Sequence, residues 1–328
     1  MVSVSHVKQR QNRGYKITSV QFVCTHTKMD NLMQYQAPLI ESESTLLCLV
    51  DYHIRSWSKD FLSSEHLKPA LCFFDKLYPK LKSGHEYTTS VQFLVSHAEH
   101  LYGLLECSST HLSPTPLYQH LSNNLNNELR GFIKQENENS QSLAVYLDSL
   151  QQHYARMLAV RVDLSYRRDF HELVNIDRFH EDISLLRSRI SNKKGCFRHL
   201  HGYVWALEQG EDKGYHCHLL LLYDGSKRHK DCYLGQEVGE HWQILTGGYG
   251  QYYNCNDPNH LKPFKESGKC GIGMIHRKNE EQVRNLSNVA QYLTRSTKLN
   301  QRLLVKAPGM RTFGHGIFDT GKRRGINR

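Results

Sequence analysis

The stretch "GYHCHLLLLY", residues 214 to 223, places two histidines one residue apart, just before a run of leucines. Alternate side chains of a β-strand point to the same face, so His216 and His218 would share one face and Cys217 would take the other. An earlier stretch, "GYVWALEQ", ends just before a link from Gly210 to Gly214 whose glycines suit a tight turn. Together the two stretches predict an antiparallel β-hairpin.

This hairpin predicts a metal site. If it is symmetric about its turn, Glu208 lies opposite His216 and Ala206 opposite His218, with Cβ atoms of opposed residues about 5 Å apart. One carboxylate and two imidazoles then converge and leave open positions on Mg²⁺, Mn²⁺ or Zn²⁺. Two other interpretations stay open. Glu208 could be a surface carboxylate that pairs with Lys213, and His-x-His can arise by chance in a chain with 21 histidines.

After about residue 150, strands and helices alternate. Strands are predicted in "MLAVRVDLSY" (157 to 166) and "CGIGMIHR" (270 to 277), and helices in "VNIDRFHEDISLLRSRI", "QEVGEHWQIL" and "NEEQVRNLSNVAQYLTRSTK", with a long loop from about 247 to 268. The order βαββαβα favours an α+β fold in which an open antiparallel sheet carries helices on one side, ferredoxin-like or related. On the first strand, Arg161 and Asp163 could pair with each other, or Asp163 could orient a histidine.

The first half of the chain favours an α-helical domain. Apolar residues recur every three or four positions in "STLLCLVDYHIRSW", "EHLKPALCFFDKLYPKL" and "TTSVQFLVSHAEHLYGLL". The polar stretch "KQENENSQS", residues 134 to 142, is the nearest thing to a boundary. We therefore expect a helical domain of unknown role over residues 1–150 and a second domain over residues 151–328.

Composition narrows the class of protein. The chain has 328 residues, 39% of them hydrophobic, and a formal net charge of +10, which predicts a globular protein with a polyanionic partner, nucleic acid before an anionic membrane surface. No apolar run approaches the roughly 20 residues of a membrane span, and the polar, basic start shows no secretory signal. Nine cysteines without a CxxC pair indicate reduced thiols in the cytoplasm. A zinc site at Cys255, His260 and Cys270 is disfavoured because those residues lack close spacing.

The carboxyl-terminal segment from Val305 is basic. It contains Lys306, Arg311, Lys322, Arg323, Arg324 and Arg328 against one acid, Asp319. Such a segment predicts phosphate contacts that weaken as salt rises, although a solvated tail would have the same composition.

The last predicted helix offers a nucleophile. Tyr292 lies at the edge of its apolar stripe, and Arg295 follows one turn later on the same side. A tyrosine at a helix border often only packs. Beside a metal-bearing sheet, however, phosphoryl transfer to the phenol becomes chemically reasonable, because a metal polarises phosphorus and Arg295 or Lys298 would stabilise negative charge.

The trio His216-Cys217-His218, the upstream Glu208 and the single tyrosine in "YLTR" resemble the HUH endonucleases, the superfamily of rolling-circle replication initiators, relaxases and some transposases. The segments "VRVDL", "YVWALEQGEDKGYHCHLLLLYDG", "NVAQYLTRSTK" and "MRTFGHG" look most like the replication proteins of filamentous phages (inoviruses) and their prophage-borne relatives, over about residues 150 to 320. The resemblance implies that Glu208, His216 and His218 bind Mg²⁺ or Mn²⁺ and that Tyr292 nicks one DNA strand.

The same resemblance implies a 5′-phosphotyrosine, a free 3′-OH that primes rolling-circle replication, and single-stranded or supercoiled origin DNA as partner. It also implies a host helicase and polymerase in the bacterial cytoplasm, and no membrane. Two positions depart from the family pattern: Arg295 stands where many initiators have lysine, and Cys217 replaces an aliphatic residue.

Three other functions remain open. They are a non-catalytic DNA-binding regulator on the same fold, a relaxase or transposase of the same superfamily, and a zinc-stabilised RNA-binding module on the same fold that uses Tyr203 and Trp205. The complete set of Glu208, His216, His218 and Tyr292 favours the enzyme, since a regulator has no need of all four.

Overall fold

The computed structural model describes residues 42–56, 64–106, 115–210, 213–294 and 301–318. Its first part consists of helices α1 (Glu43–Arg55), α2 (Ser64–Leu77) and α3 (Thr89–Glu106), which confirms the three helices predicted from apolar spacing. Helix α1 begins after Ser42, whose Oγ accepts a hydrogen bond from the Thr45 N–H and so caps the first turn.

Helix α4 (Thr115–His153) is 39 residues long and crosses the expected boundary. The polar stretch 134–142 lies within it rather than in a linker, because polar residues on the exposed turns of a helix have the same composition as a linker. The last turns of α4 pack against the sheet through four buried side chains: Leu143, Tyr146, Leu147 and Leu150. The helix therefore joins the amino-terminal helices to the sheet without a break.

The described strands are β1 (Glu86–Tyr87), β2 (Arg156–Tyr166), β3 (Leu200–Gly210), β4 (Gly214–Asp224), β5 (Gly250–Asn254), β6 (Gly273–His276), β7 (Val305–Lys306) and β8 (Phe313–His315). The small strands β1 and β7 pair with each other. The others form an antiparallel sheet in the order β5-β2-β4-β3-β8, and β6 pairs with the first residues of β2. The result is a mixed α/β protein with a helical amino-terminal region and an antiparallel sheet.

The predicted hairpin register is confirmed. Strands β3 and β4 pair so that Glu208 lies opposite His216 and Ala206 opposite His218. On the other side of β4, Asp163 of β2 also lies opposite His218. Three adjacent strands therefore bring polar residues to one place on one face of the sheet.

Helices cover both faces of the sheet, so the expectation of helices on one side is wrong. Helices α5 (Ile176–Asn192) and α6 (Asp231–Leu245) pack on the face that carries Leu219 and Leu221. Helix α4 and helix α8 (Glu280–Gln291) pack on the opposite face, with Leu220 and Leu222. The physical reason lies in the leucine run itself: a strand that is apolar on both faces must be covered on both.

The prediction of a loop from 247 to 268 is also wrong, since these residues include strand β5 and helix α7 (Pro258–Glu266). The start of α7 is visible in the sequence: Asp257 caps the helix by accepting from the Asn259 N–H, and Pro258 takes the first helical position. Strand β5 is short and rich in tyrosine, and pairing with β2 is what makes it a strand.

The last helix is shorter than predicted. Helix α8 ends at Gln291, and Tyr292–Thr294 continue as a 3₁₀ turn. Arg295 and Lys298 lie outside the described residues, as do residues 319–328 of the basic tail. Lys306, at the start of that tail, pairs with the exposed Glu86.

No helix in the described ranges is long and apolar enough to span a membrane. The cysteines that the structure describes as free are Cys48, Cys72, Cys196, Cys217, Cys232, Cys255 and Cys270. This agrees with the expectation of reduced thiols.

Helix α6 can approach β5 closely because it carries a glycine at the contact. A methyl group added to Gly239 would lie 2.2 Å from the ring of Tyr252. A methyl group added to Gly131 in α4 would meet no atom within 4 Å. Gly131→Ala should stabilise the protein by roughly 1 kcal/mol through helix propensity. Gly239→Ala should destabilise it by about 1–3 kcal/mol through overpacking. Urea unfolding of both variants checks this pair, and a Gly239→Ala protein as stable as Gly131→Ala would contradict the close helix-sheet contact.

Candidate metal centre

Glu208, His216 and His218 form a compact buried group. Only 5%, 4% and 6% of their respective surfaces are exposed. Their potential ligand atoms all lie within 4.8 Å of one another. Glu208 Oε2 is 3.1 Å from His218 Nε2 and 3.5 Å from His216 Nε2. These are the three ligands that the hairpin predicts, and the group could hold a metal ion.

The burial of Glu208 decides between the two interpretations left open for it. A surface carboxylate at the hairpin end would be exposed, whereas Glu208 is enclosed with the two imidazoles. The alternative site at Cys255, His260 and Cys270 does not form a metal-binding group within the described residues. Cys255 is buried, its pKa raised by that burial to about 12, and Cys270 Sγ donates to the Ile272 carbonyl oxygen.

The second nitrogen of each imidazole is held by an acceptor. His216 Nδ1 lies 3.1 Å from the carbonyl oxygen of Gly214, which can only accept, so this nitrogen carries the proton. His218 Nδ1 lies 2.7 Å from Asp163 Oδ1, and the carboxylate likewise requires a donor. When the rings are neutral, the lone pair of each is therefore on Nε2, and both Nε2 atoms face Glu208.

This arrangement places three acceptors opposite one another in a buried space, where unpaired polar atoms are costly. A cation between them removes the repulsion. Burial alone would lower the pKa of His218, but its hydrogen bonds to Asp163 and Glu208 raise it above the usual value, so a proton can take this role. A divalent ion can replace that proton, and the donor set of one carboxylate oxygen and two imidazole nitrogens suits such an ion.

Asp163 both orients His218 and pairs with Arg161, so the two roles considered for it coexist. Arg161 Nε donates to Asp163 Oδ1 at 3.1 Å, and Arg161 Nη2 lies 3.4 Å from His218 Nδ1. Burial would raise the pKa of Asp163, but the hydrogen bond from His218 and the charges of His218 and Arg161 lower it well below its usual value. Asp163 is therefore a carboxylate whenever the site is at neutral pH.

Tyr292 lies on the same side of the sheet as the two histidines. Its helix packs through Leu286 and Ala290 on the face that carries Ala206 and Leu220. The guanidinium carbon of Arg161 sits 5.4 Å from the centroid of the Tyr292 ring. Tyr292 is 36% exposed, so its ring is reachable from solvent. The structure does not describe Arg295 and Lys298, the two other predicted catalytic residues.

Tyr253, which the sequence places in a loop as a residue that could stack on bases, lies on a strand of this face. It lies on β5 opposite Asp163, and 53% of its surface is exposed. Its hydroxyl lies 2.8 Å from His260 Nδ1. Recognition of β5 as a strand would have placed it opposite Asp163.

The aromatic platform considered for RNA binding is only partly accessible. Trp205 is buried on the other face of the sheet, beneath the guanidinium of Arg187. Tyr203 is half-buried and packs against the same core. Trp205 is therefore a core residue and cannot stack on a base.

One family model matches the chain, over residues 122–316, and its description is YagK/YfjJ C-terminal domain. The matched part covers more than half of the chain and includes the three potential ligands, Arg161, Asp163 and Tyr292. No curated protein and no solved structure matches the chain significantly.

Asp163→Asn should weaken divalent-metal binding about 10- to 100-fold, the usual cost of removing a carboxylate that orients a ligand histidine. Calorimetric titration with Mn²⁺ measures this. Asp169→Asn is the matched control, because Asp169 is an exposed carboxylate paired with Arg167 away from the ligands. Equal Mn²⁺ affinities in the two variants would show that Asp163 does not support a metal ligand.

Proposed function

The chain belongs to the YagK/YfjJ C-terminal domain family, and we propose that it nicks and rejoins one DNA strand at a specific site, in a metal-dependent reaction that uses Tyr292 as nucleophile. The observation that supports this best is the position of Arg161, which contacts Asp163, His218 and the ring of Tyr292 at once. Through that side chain, a solvent-accessible phenol is tied to a buried metal-binding group on one face of the sheet.

In this proposal Glu208, His216 and His218 hold Mg²⁺ or Mn²⁺. When bound, the ion supplies positive charge that polarises a phosphate oxygen and orients the scissile bond. Asp163 keeps the Nδ1 proton of His218 in place, so that Nε2 remains available as a ligand. Three protein ligands leave coordination positions for a substrate, as in catalytic rather than structural sites.

The reaction is a transesterification that starts at the Tyr292 hydroxyl. The phenolic oxygen forms a bond to phosphorus while the bond from phosphorus to the 3′ oxygen of the preceding nucleotide breaks. The phenol loses its proton, and the departing oxygen takes one up to become a 3′-OH. One phosphodiester is exchanged for another, so attack by a 3′-OH on the phosphotyrosine reverses the step and rejoins the strand.

Positive charge around Tyr292 assists this exchange. The Arg161 guanidinium beside the ring stabilises negative charge on the attacking oxygen and on the phosphate. Arg295 and Lys298, which follow Tyr292 in the chain, are proposed to act in the same way. Burying ionisable residues such as Glu208, His216 and His218 costs free energy. A non-catalytic regulator would have no use for them, which favours the enzyme.

We also place the sheet with the ferredoxin-like sheets of the HUH endonucleases. The order β2, α5, β3, β4, α6 and the position of the ligands on the adjacent strands β3 and β4 support this assignment. Because these motifs resemble those of filamentous-phage replication proteins, we propose that the biological step is the initiation of rolling-circle replication of a phage or prophage-like element. Its partners would then be origin DNA and a host helicase and polymerase in the bacterial cytoplasm.

The test is a covalent adduct. Incubated with Mn²⁺ or Mg²⁺ and single-stranded oligonucleotides tiled across the neighbouring genome, the protein should form an adduct that survives a denaturing gel. Tyr292→Phe should abolish the adduct, because the attacking oxygen is gone, and chelation of the metal should do the same. Binding of the oligonucleotide by Tyr292→Phe should persist.

Tyr253→Phe is the matched control, since it removes a second exposed hydroxyl from the same face of the sheet and should keep the adduct. An adduct that persists in Tyr292→Phe and disappears in Tyr253→Phe would show that Tyr253, and not Tyr292, is the nucleophile. No adduct on any tiled oligonucleotide would contradict the nicking proposal itself.

A further inference from the structure

A second feature of the sheet lies at the end away from the metal centre. Strands β2 and β6 pair there through Arg156 and His276, and β4 ends beside them at Asp224. A cavity of about 630 Å³ opens between these strand ends. Asp224 is six residues from His218 along β4, which corresponds to about 20 Å at ~3.3 Å per residue. The cavity is therefore separate from the metal-binding group.

The cavity is lined by positive charge. Arg156, Arg277 and Lys278 line it and are exposed. Arg277 is fixed in place, because its Nη1 donates to the Gln152 carbonyl oxygen at 2.6 Å. Asp224, the acidic residue of the lining, accepts hydrogen bonds from Ser226, and His201 lies 3.8 Å from the same carboxylate oxygen. With three exposed cations against this one carboxylate, the lining keeps a net positive charge that favours an anion.

Two basic loops extend this charge along the same end of the sheet. The loop 193–199 carries Lys193, Lys194 and Arg198, and the loop 225–230 carries Lys227, Arg228 and Lys230. Arg228 ties the loops together by donating to the carbonyl oxygens of Gly195 and Arg198 at 3.3 and 3.4 Å. The positive surface therefore continues from the cavity over both loops.

A stacked pair of rings completes the cavity. Tyr154 and His201 lie parallel, with ring centroids 3.5 Å apart and an angle of 7° between the planes. Both line the same cavity as the three cations. Proteins that bind single-stranded nucleic acids combine two features: cations along the path of the phosphate backbone, and planar rings that stack on the bases.

We propose that this end cavity is a second nucleic-acid site, which binds the phosphates of a single strand through Arg156, Arg277 and Lys278 and a base through the ring pair of Tyr154 and His201. The site goes beyond the proposed nicking reaction, because it uses neither the metal ligands nor Tyr292. A strand bound in both places would span the roughly 20 Å between the two ends of β4.

An anionic membrane fits this surface less well. A lipid headgroup layer is broad and needs an apolar face to insert, whereas the cavity is concave and the largest aliphatic side chain in its described lining is that of Ala155.

The test uses the full chain in EDTA, so that no strand is cut, and a labelled 20-nucleotide single-stranded DNA of mixed sequence. Fluorescence anisotropy over a range of KCl concentrations gives the affinity and its salt dependence. The variant Arg156→Gln, Arg277→Gln, Lys278→Gln should bind at least tenfold more weakly. The slope of log K against log salt should fall by about 2, since each single-strand phosphate contact contributes ~0.7.

The control variant Lys68→Gln, Lys76→Gln, Lys80→Gln removes the same charge from exposed positions on and after α2 and should bind within twofold of the parent. Equal losses in the two variants would overturn the proposal, as would a loss confined to duplex DNA of the same sequence. Loss of binding to phosphatidylserine vesicles with unchanged oligonucleotide affinity would identify a membrane as the occupant instead. Because binding is measured without cleavage, failure of the adduct assay and failure of this test are distinguishable.

Discussion

Three hydrogen-bond acceptors that face one another in a buried space govern this structure. The Nε2 atoms of His216 and His218 both point at Glu208 Oε2, because the Nδ1 atoms are occupied by the Gly214 carbonyl and by Asp163. Such a group repels itself unless a cation lies within it. The site is thus built around positive charge, whether a proton or a metal ion supplies it.

The rest of the fold maintains that group. Opposed positions on β3 and β4 set the ligands side by side, and β2 adds Asp163 from the next strand. Helices on both faces exclude water from the sheet, and α8 brings Tyr292 to the ligand face. Arg161 then connects the two halves of the proposed reaction, since it pairs with Asp163 and covers the ring of Tyr292.

The sequence was informative wherever the contacts are local. A strand has a period of two and the turn is short, so the register of Glu208 against His216 followed from spacing alone. The helices before residue 106 followed from their apolar periodicity in the same way. Polar composition misled at 134–142, because an exposed helix and a linker use the same residues, and helices on both faces could have been expected from the leucine run.

Contacts between distant segments could not be predicted. The contact of Arg161 with Tyr292 joins residues 131 positions apart, and no local pattern marks it. Strand β5 exists through its pairing with β2, so a short stretch with two tyrosines looked like a loop. Its recognition depends on tertiary structure, as does the finding that Tyr253 lies opposite Asp163.

Anomalous X-ray diffraction from crystals soaked in Mn²⁺ tests the central claim most directly. The account predicts an anomalous peak within bonding distance of one Glu208 carboxylate oxygen and of Nε2 of both His216 and His218. The Nδ1 atoms should keep their contacts with Gly214 and Asp163. A fully soaked crystal with no peak between these three side chains, or with manganese bound only elsewhere, would contradict it.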